Sequence, residues 1–321
     1  MANMSSTLTG VDMQTMSHAL TSDKILRVFL VVSTQFLFIF VNSMMLFTLH
    51  TRAIFRETPR YILFAHMLLN DTIQLVIAMV LYLLSVFYIV VVRAACAFIV
   101  LLSASTFVNA PLNLAVMSLE RYTAICFPLR HSELATPVRA IVAVALVWVL
   151  GITDVLTDVC ALFLLAEPSY YLSPSVCTIG QLMVVPWQQS RNVTFKILLF
   201  VMVAIVLLYT YVAILLQARA ASTDTSSAHK ALRTVVLHAF QLLLSLVSLL
   251  FESIDLILVR FPLTVNVHLR FLNYYLVLVM PRCLSSMIYG LRDETFRTLF
   301  KQNFLYCGKN KVEPQKTFTK H

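Results

Sequence analysis

The stretch AACAFIVLLSASTFVNAPLNLAVMSL, residues 94–119, contains 26 residues and no Lys, Arg, Asp or Glu. The hydrocarbon core of a bilayer is about 30 Å thick, and a helix that rises about 1.5 Å per residue crosses it in about 20 residues. This run is therefore long enough to span a membrane as one helix. It ends at two adjacent charges, Glu120 and Arg121.

Six further apolar runs of comparable length occur along the chain. Two contain no charge and four contain one or two, and their bounds are 28–49, 61–92, 140–166, 197–218, 234–259 and 271–291. The chain is 60% hydrophobic and 12% charged, whereas soluble domains average about 25% charged residues. The sequence predicts an all-α membrane protein, a bundle of seven transmembrane helices, with no separate soluble domain.

Lys and Arg are distributed unevenly between the two sides of this bundle. With the N-terminus outside, the inner loops and tail hold 16 of them and the outer side holds 7. Basic residues concentrate on the cytoplasmic side, so we expect an extracellular segment at 1–24, a transmembrane domain at 25–291 and a cytoplasmic tail at 292–321. Anionic inner-leaflet lipid is a sufficient partner for the net charge of +9, and no nucleic acid is expected.

The expected outer side carries sites for covalent modification. Asn3 and Asn192 each begin a glycan-acceptor triplet, and we favour Asn3 because Asn192 is close to the membrane. Cys96 and Cys177 fall in the same oxidising compartment, so a disulfide bond between them is expected, with two free thiols as the alternative. The other cysteines lack metal-ligand spacing, and no metal or cofactor is expected. The first 24 residues do not have the pattern of a cleaved signal peptide.

The residues that follow the uncharged run identify a family. MSLERYTAICFPLRH, residues 117–131, resembles the MAYDRYVAICxPLRY motif of odorant receptors, a family within the rhodopsin-like G-protein-coupled receptors. The resemblance covers nearly the whole chain and is strongest to the receptors of fish. Further matches in the same order are Asn42, Pro59-Arg60-Tyr61, Asp71, Trp148, Lys230-Ala231, Thr234, His238 and the IYGLR ending at 288–292.

This resemblance implies an odorant-activated receptor that binds a small molecule in the outer half of the bundle and activates a heterotrimeric G protein of the olfactory stimulatory type. It implies a location in the plasma membrane, in the cilia of olfactory neurons. Arg121, held at rest by Glu120, would be released to meet the Gα subunit. The G-protein coupling residues implied are Glu120, Arg121, Tyr122, Phe127, Pro128, Leu129 and Tyr289.

The chain also departs from the pattern of the class. The last helix reads Ser285-Ser286-Met287-Ile288-Tyr289 where the class has Asn-Pro-x-x-Tyr. The fifth and sixth helices contain no proline, the usual hinge of a helix, which leaves the hinge of the sixth helix undefined. Only Pro111 and Pro281 remain near the middle of the membrane.

Two opposite charges are expected at one depth in the membrane. Asp71 lies 11 residues from Arg60, and Arg282 lies 10 residues from Arg292, which places them roughly 17 and 15 Å from the cytoplasmic side. In this class the aspartate often binds sodium, and we expect the Arg282 guanidinium to replace that ion. The alternative is that Arg282 meets water and backbone carbonyl groups.

The same arithmetic locates a ligand layer near the outer surface, roughly 26–28 Å from the cytoplasmic side. Glu252, Asp255 and Asp158 at this level would favour a cationic ligand; alternatively, they reach the surface or pair with Arg260 and Arg270. The family resemblance implies an odorant pocket between the third, fifth, sixth and seventh helices at this level. The expected pocket residues are Ser103, Phe107, Leu199, Leu249, Glu252, Asp255 and Tyr275.

The C-terminal tail carries a helical pattern of large apolar residues. Phe296, Leu299, Phe300 and Phe304 have helical spacing, which predicts a short amphipathic helix on the inner surface, with Cys307 as a palmitoylation candidate.

A retinal protein would need a lysine in the last helix, and 271–291 has none. The sequence shows no internal repeat of the kind that many transporters have. It also shows no paired acids at one depth, which an intramembrane hydrolase would need. The remaining alternative is a rhodopsin-like receptor for a non-odorant amine or peptide.

Overall fold

The computed structural model describes residues 2–221, 240, 243–292 and 296–300. In these residues six helices are long and apolar enough to cross a membrane. The elements are α1 (Ala2–Thr51), α2 (Ala53–Glu57), α3 (Pro59–Val86), β1 (Val90–Val92), α4 (Arg93–Cys126), α5 (His131–Leu134), α6 (Pro137–Leu165), α7 (Pro168–Tyr171), β2 (Pro174–Val176), α8 (Pro186–Ala221), α9 (243–249), α10 (Phe251–Leu258), α11 (Leu263–Leu272), α12 (Met280–Arg292) and α13 (296–300). Short 3-10 turns cover Pro128–Arg130 and Ile179–Leu182.

The predicted membrane runs correspond to these helices. The first five are α1, α3, α4, α6 and α8, and the seventh is the continuous helix from α11 to α12. The sixth predicted run, 234–259, is described only in part, as α9 and α10. The fold is therefore the expected all-α membrane bundle, with α4 packed against α3, α6 and α8 at its centre.

The first two membrane helices differ in extent from the apolar runs that predicted them. The helix that contains the run 28–49 extends from Ala2 to Thr51, and its apolar span is Ser22–Thr51. The second helix ends at Val86 rather than at Val92, because Tyr88 adopts a left-handed backbone conformation with φ of 53°. The three valines that follow form β1, which pairs antiparallel with β2 of the outer loop. β-branched residues favour this extended conformation.

One glycine allows α6 to approach α4 closely. A Cβ atom on Gly151 of α6 would lie 1.9 Å from the side-chain oxygen position of Asn109 on α4. With its amide group turned, Asn109 donates hydrogen bonds to the carbonyl oxygens of Ser105 and Val147, at 3.1 and 2.9 Å. The fully buried amide therefore links the two helices across the space that Gly151 leaves open.

The sixth and seventh membrane helices are both irregular near the outer side. A turn at Leu250 separates α9 from α10, and a π-helix at Asn273–Val279 separates α11 from α12. The side-chain amide of Asn273 donates a 3.0 Å hydrogen bond to the carbonyl oxygen of Phe251, directly after the turn. This break needs no proline, because a side chain of the neighbouring helix satisfies a backbone group at the interruption.

The start of the predicted amphipathic tail helix is present as α13. Phe296 is fully buried, and its ring lies edge-on to the rings of Phe55 and Phe64, at 6.1 and 5.5 Å between centroids. Phe300 stacks on Phe296 at 5.9 Å. The rest of this prediction, including Phe304 and Cys307, lies outside the described residues.

Candidate ligand cavity and cytoplasmic coupling surface

A cavity of about 1350 Å³ opens toward the outer side between α1, α3, α4, α8, α10 and the helix from α11 to α12. Its deep walls are apolar and aromatic, with Phe107, Phe200, Leu249, Tyr274 and Leu278 among the lining residues. A mainly apolar and aromatic lining is typical of small-molecule sites, and the cavity is larger than the roughly 300–1,000 Å³ that such sites usually have. The outer half of the bundle therefore contains room for a small molecule.

The outer loop covers part of this cavity through a disulfide bond. Cys96 at the start of α4 is bonded to Cys177, 81 residues later, which confirms the predicted pair. Thr178, Ile179 and Gly180 follow Cys177 and line the cavity. The bond therefore fixes the loop over the ligand space. Asn192 is buried and also lines the cavity, which makes it inaccessible to a glycan, while Asn3 stays a prediction.

Five of the seven predicted pocket residues line the cavity: Ser103, Phe107, Leu249, Glu252 and Asp255. Leu199 does not, and this prediction was wrong because it chose the wrong face of α8. Leu199 packs in the apolar core with Val203 and Leu207, one and two turns further along. The face of α8 toward the cavity carries Lys196 and Phe200 instead.

Tyr275 was also predicted wrongly as a lining residue. Its hydroxyl group lies 3.0 Å from the Thr34 hydroxyl on α1, and its ring stacks on Phe271. The prediction assumed a regular α-helix, but the π-helix has more residues per turn and rotates the following side chains around the axis. Tyr274 therefore faces the cavity in place of Tyr275.

The acids of the ligand layer are bound by bases on neighbouring helices. Asp255 accepts two hydrogen bonds from Arg270, at 2.8 and 2.6 Å, as the alternative interpretation expected. Glu252 on α10 pairs with Lys196 on α8. No motif pointed to Lys196, because the partner of Glu252 depends on how two separate helices are rotated.

Asp158 does not line the cavity, and its basic partner is Arg191 rather than Arg260 or Arg270, which the alternative interpretation named. Its carboxylate is fully buried and accepts hydrogen bonds from Arg191 at 2.6 Å and from Gln188 at 2.8 Å. Asp154, one turn before it, lies 3.2 Å from the same guanidinium group. Arg191 thus holds both acids of α6 against the start of α8.

The predicted charge pair in the middle of the bundle is present. Nη1 of Arg282 lies 3.5 Å from Oδ1 of Asp71, and both side chains are almost fully buried. The guanidinium group also donates a 3.1 Å hydrogen bond from Nη2 to the carbonyl oxygen of Phe107, and it lies 5.6 Å from the centre of the Phe107 ring. The two interpretations of Arg282, a carboxylate partner and a backbone partner, are therefore both realised.

Pro111 explains why that carbonyl group is available. Proline has no backbone N–H, so in a helix the carbonyl four residues earlier loses its usual partner. In α4 this carbonyl belongs to Phe107. Arg282 supplies the missing donor from another helix. Phe107 thus contacts the ligand space with its ring and the central charge pair with its backbone.

At the cytoplasmic end, the Glu120 carboxylate pairs with the imidazole of His131 on α5, 3.3 Å away. This partner was not anticipated, although His131 lies within the motif that identified the family. The Tyr122 hydroxyl lies 3.2 Å from the Tyr209 hydroxyl on α8. Leu129 is 96% exposed and Phe127 is 44% exposed, so the inner loop presents an apolar surface. The Tyr289 side chain lies outside the described residues.

These features together describe a membrane bundle with a large cavity toward the outer side and an exposed apolar loop at the inner side. Residues 41–284 match the model of the 7 transmembrane receptor (rhodopsin family). The chain belongs to this family, and it is a signalling receptor rather than an enzyme. Membership implies a ligand and a G protein as partners.

The chain is similar to individual odorant receptors and, over a short stretch, to a histamine receptor. The chain is 31% identical over 291 residues to Odorant receptor 131-2 of Danio rerio, covering 87% of each chain. It is 28% identical over 190 residues to Olfactory receptor 10P1 of Homo sapiens, covering 57% of this chain and 59% of the relative. A stretch of 42 residues, 13% of this chain and 12% of the relative, is 50% identical to the Histamine H2 receptor of Homo sapiens.

Proposed function

We propose that this receptor is activated by a small odorant that binds in the cavity between α4, α8, α10 and the helix from α11 to α12. The observation that carries the proposal is the cavity itself, whose deep walls are apolar and aromatic and whose rim is charged. The similarity to an odorant receptor along 87% of both chains supports this ligand type.

Phe107 links the cavity to the centre of the bundle in this proposal. A ligand that displaces the Phe107 ring also disturbs the Arg282 guanidinium beside it, because that guanidinium bonds the Phe107 carbonyl oxygen. Arg282 holds Asp71 of α3 at the same time. Ligand binding would thereby change how α3, α4 and α12 pack at mid-membrane, which is the kind of bistable rearrangement that receptors use.

In this proposal the G protein binds at the inner loop after α4. Phe127, Pro128 and Leu129 supply an exposed apolar contact for the Gα subunit, and Arg121 supplies its charge. The Glu120–His131 pair holds this loop to the end of α4 in the described conformation. We propose an olfactory stimulatory Gα as the partner and the ciliary plasma membrane as the location.

The experiment is expression of the receptor with that Gα and measurement of cAMP against amino acids, polyamines, bile acids and small volatiles. A response that Arg121→Ala abolishes, at unchanged surface expression, is the expected result. Responses restricted to biogenic amines or peptides would contradict the odorant assignment.

An amine receptor is the second candidate, and the short similarity to the Histamine H2 receptor favours it. The charges of the cavity count against it, because Glu252 and Asp255 are already paired with Lys196 and Arg270. Adding biogenic amines and peptides to the same cAMP panel separates the two candidates.

A further inference from the structure

We propose that the ligand of this cavity carries an anionic head group, such as a carboxylate or sulfonate, on an apolar body. This inference rests on the proposed function, since it assumes that the cavity is the ligand site. It is opposite to one of the two interpretations of the sequence, the one in which the acids of the layer select a cation.

The charge on the cavity wall favours an anion. Four bases and three acids line the cavity, which gives a formal charge of +1 with His268 neutral. The bases are Lys24, Arg27, Lys196 and Arg270, and the acids are Asp23, Glu252 and Asp255. Each acid is bound by one of these bases in the described structure, Asp23 by Arg27, Glu252 by Lys196 and Asp255 by Arg270.

The balance of hydrogen-bonding groups leads to the same conclusion. A guanidinium group has five N–H donors and an ammonium group has three. Arg270 uses two of its donors on Asp255, whose two oxygens both accept. Lys196 uses one donor on Glu252. The wall therefore offers more donors than its own acids accept, and a ligand rich in acceptors complements it.

Lys196 is the natural anchor for an anionic head. Its side chain is 16% exposed, against 47% for Arg270, so a contact with it is better shielded from water. Phe200, one turn deeper on α8, lines the apolar part of the cavity together with Leu249 and Phe107. A head group on Lys196 thus places an apolar body against these side chains. The two nearby acids of α6, Asp154 and Asp158, are held by Arg191.

The test measures binding to the purified receptor in lipid nanodiscs, through the ligand-dependent rise in unfolding temperature. The probes are hexanoate, octanoate and decanoate, each with the amine and alcohol of the same chain length. The carboxylates should stabilise the receptor more than their matched amines and alcohols. Lys196→Met should weaken carboxylate binding about tenfold or more, as expected for loss of one charge-assisted hydrogen bond.

Two further variants keep the test decisive if Lys196→Met fails to fold. Lys196→Arg retains the charge and should retain carboxylate binding, and Glu252→Gln removes the competing acid and should strengthen it. Stabilisation by the amines, no stabilisation by any carboxylate, or weaker carboxylate binding in Glu252→Gln would overturn the proposal. Nucleotide exchange on Gα is measured in parallel. Carboxylate binding without exchange would refute the proposed function while leaving the ligand class intact.

Discussion

The ion pair in the middle of this receptor and the ion pairs at its outer cavity differ in their access to water. Asp71 and Arg282 have side chains that are 1% and 4% exposed. The outer pairs are more exposed, at 38% for Glu252 with 16% for Lys196, and at 32% for Asp255 with 47% for Arg270. Breaking a buried pair leaves an uncompensated charge in a medium of low dielectric constant, but an exposed pair exchanges readily for water. The inner pair is therefore expected to contribute more to the stability of the receptor than the outer pairs.

The largest effect is expected at the inner pair. Asp71→Asn or Arg282→Gln alone leaves one buried charge without its partner, at a cost of about 3–5 kcal/mol. Each single variant should lose most of its surface expression, and the double variant should regain part of it. Labelling of a tag on unpermeabilised cells measures this, with the exposed Arg260→Gln as control. A double variant as poor as the singles would contradict the pairing.

The second-largest effect on stability is expected from removal of the disulfide bond. Its removal frees the loop that covers the cavity, and loss of a native disulfide typically costs about 2–5 kcal/mol. Cys96→Ser and Cys177→Ser should each lower the unfolding temperature and weaken ligand binding. Cys160→Ser, at an exposed free cysteine, is the matched control. Equal stability of Cys96→Ser and Cys160→Ser would show that the bond contributes nothing.

A smaller loss is expected from Gly151→Ala. The added methyl group overlaps Asn109, which must leave its position between α4 and α6, and overpacking of this kind costs about 1–3 kcal/mol. Gly180→Ala is the control, because its Cβ would meet no atom closer than 3.9 Å. Thermal unfolding of both purified variants should show a drop for Gly151→Ala alone.

The smallest effect on stability is expected at the cavity rim. Arg270→Gln breaks a half-exposed pair, and such pairs contribute about 0–1 kcal/mol. Its unfolding temperature should stay close to that of the unchanged receptor, and the contribution of the pair should fall further at high salt because of screening. A loss as large as that of Arg282→Gln would erase the distinction between the two kinds of pair.

Much of the architecture was predictable because it depends on single segments. The lengths of the apolar runs predicted the six membrane helices that are described in full, and also the helix at 234–259 that is described in part. The positions of Cys96 and Cys177 predicted the disulfide bond. Depth along a helix was predictable as well, since it needs only the rise per residue. That arithmetic correctly brought Asp71 and Arg282 to one level.

The rotation of each helix about its own axis was harder to predict from the sequence. Leu199 and Tyr275 were assigned to the cavity but lie on other faces of their helices. For Tyr275 the reason is the π-helix at Asn273–Val279, which no recognisable sequence signal marks. The bases that pair with Glu252 and Asp158 were missed for a related reason. Lys196 and Arg191 lie on α8, and nothing in their local sequence specifies which neighbour they reach.

Composition, apolar run length and the order of motifs were enough to establish a membrane-spanning receptor of the rhodopsin family, because these properties belong to the chain before it folds. The tertiary structure alone decided which side chains meet across helices. It joined Arg282 to the carbonyl group that Pro111 leaves without a partner, and Lys196 to Glu252 on the cavity wall. Such contacts depend on the rotation and close packing of separate helices, which no local pattern encodes.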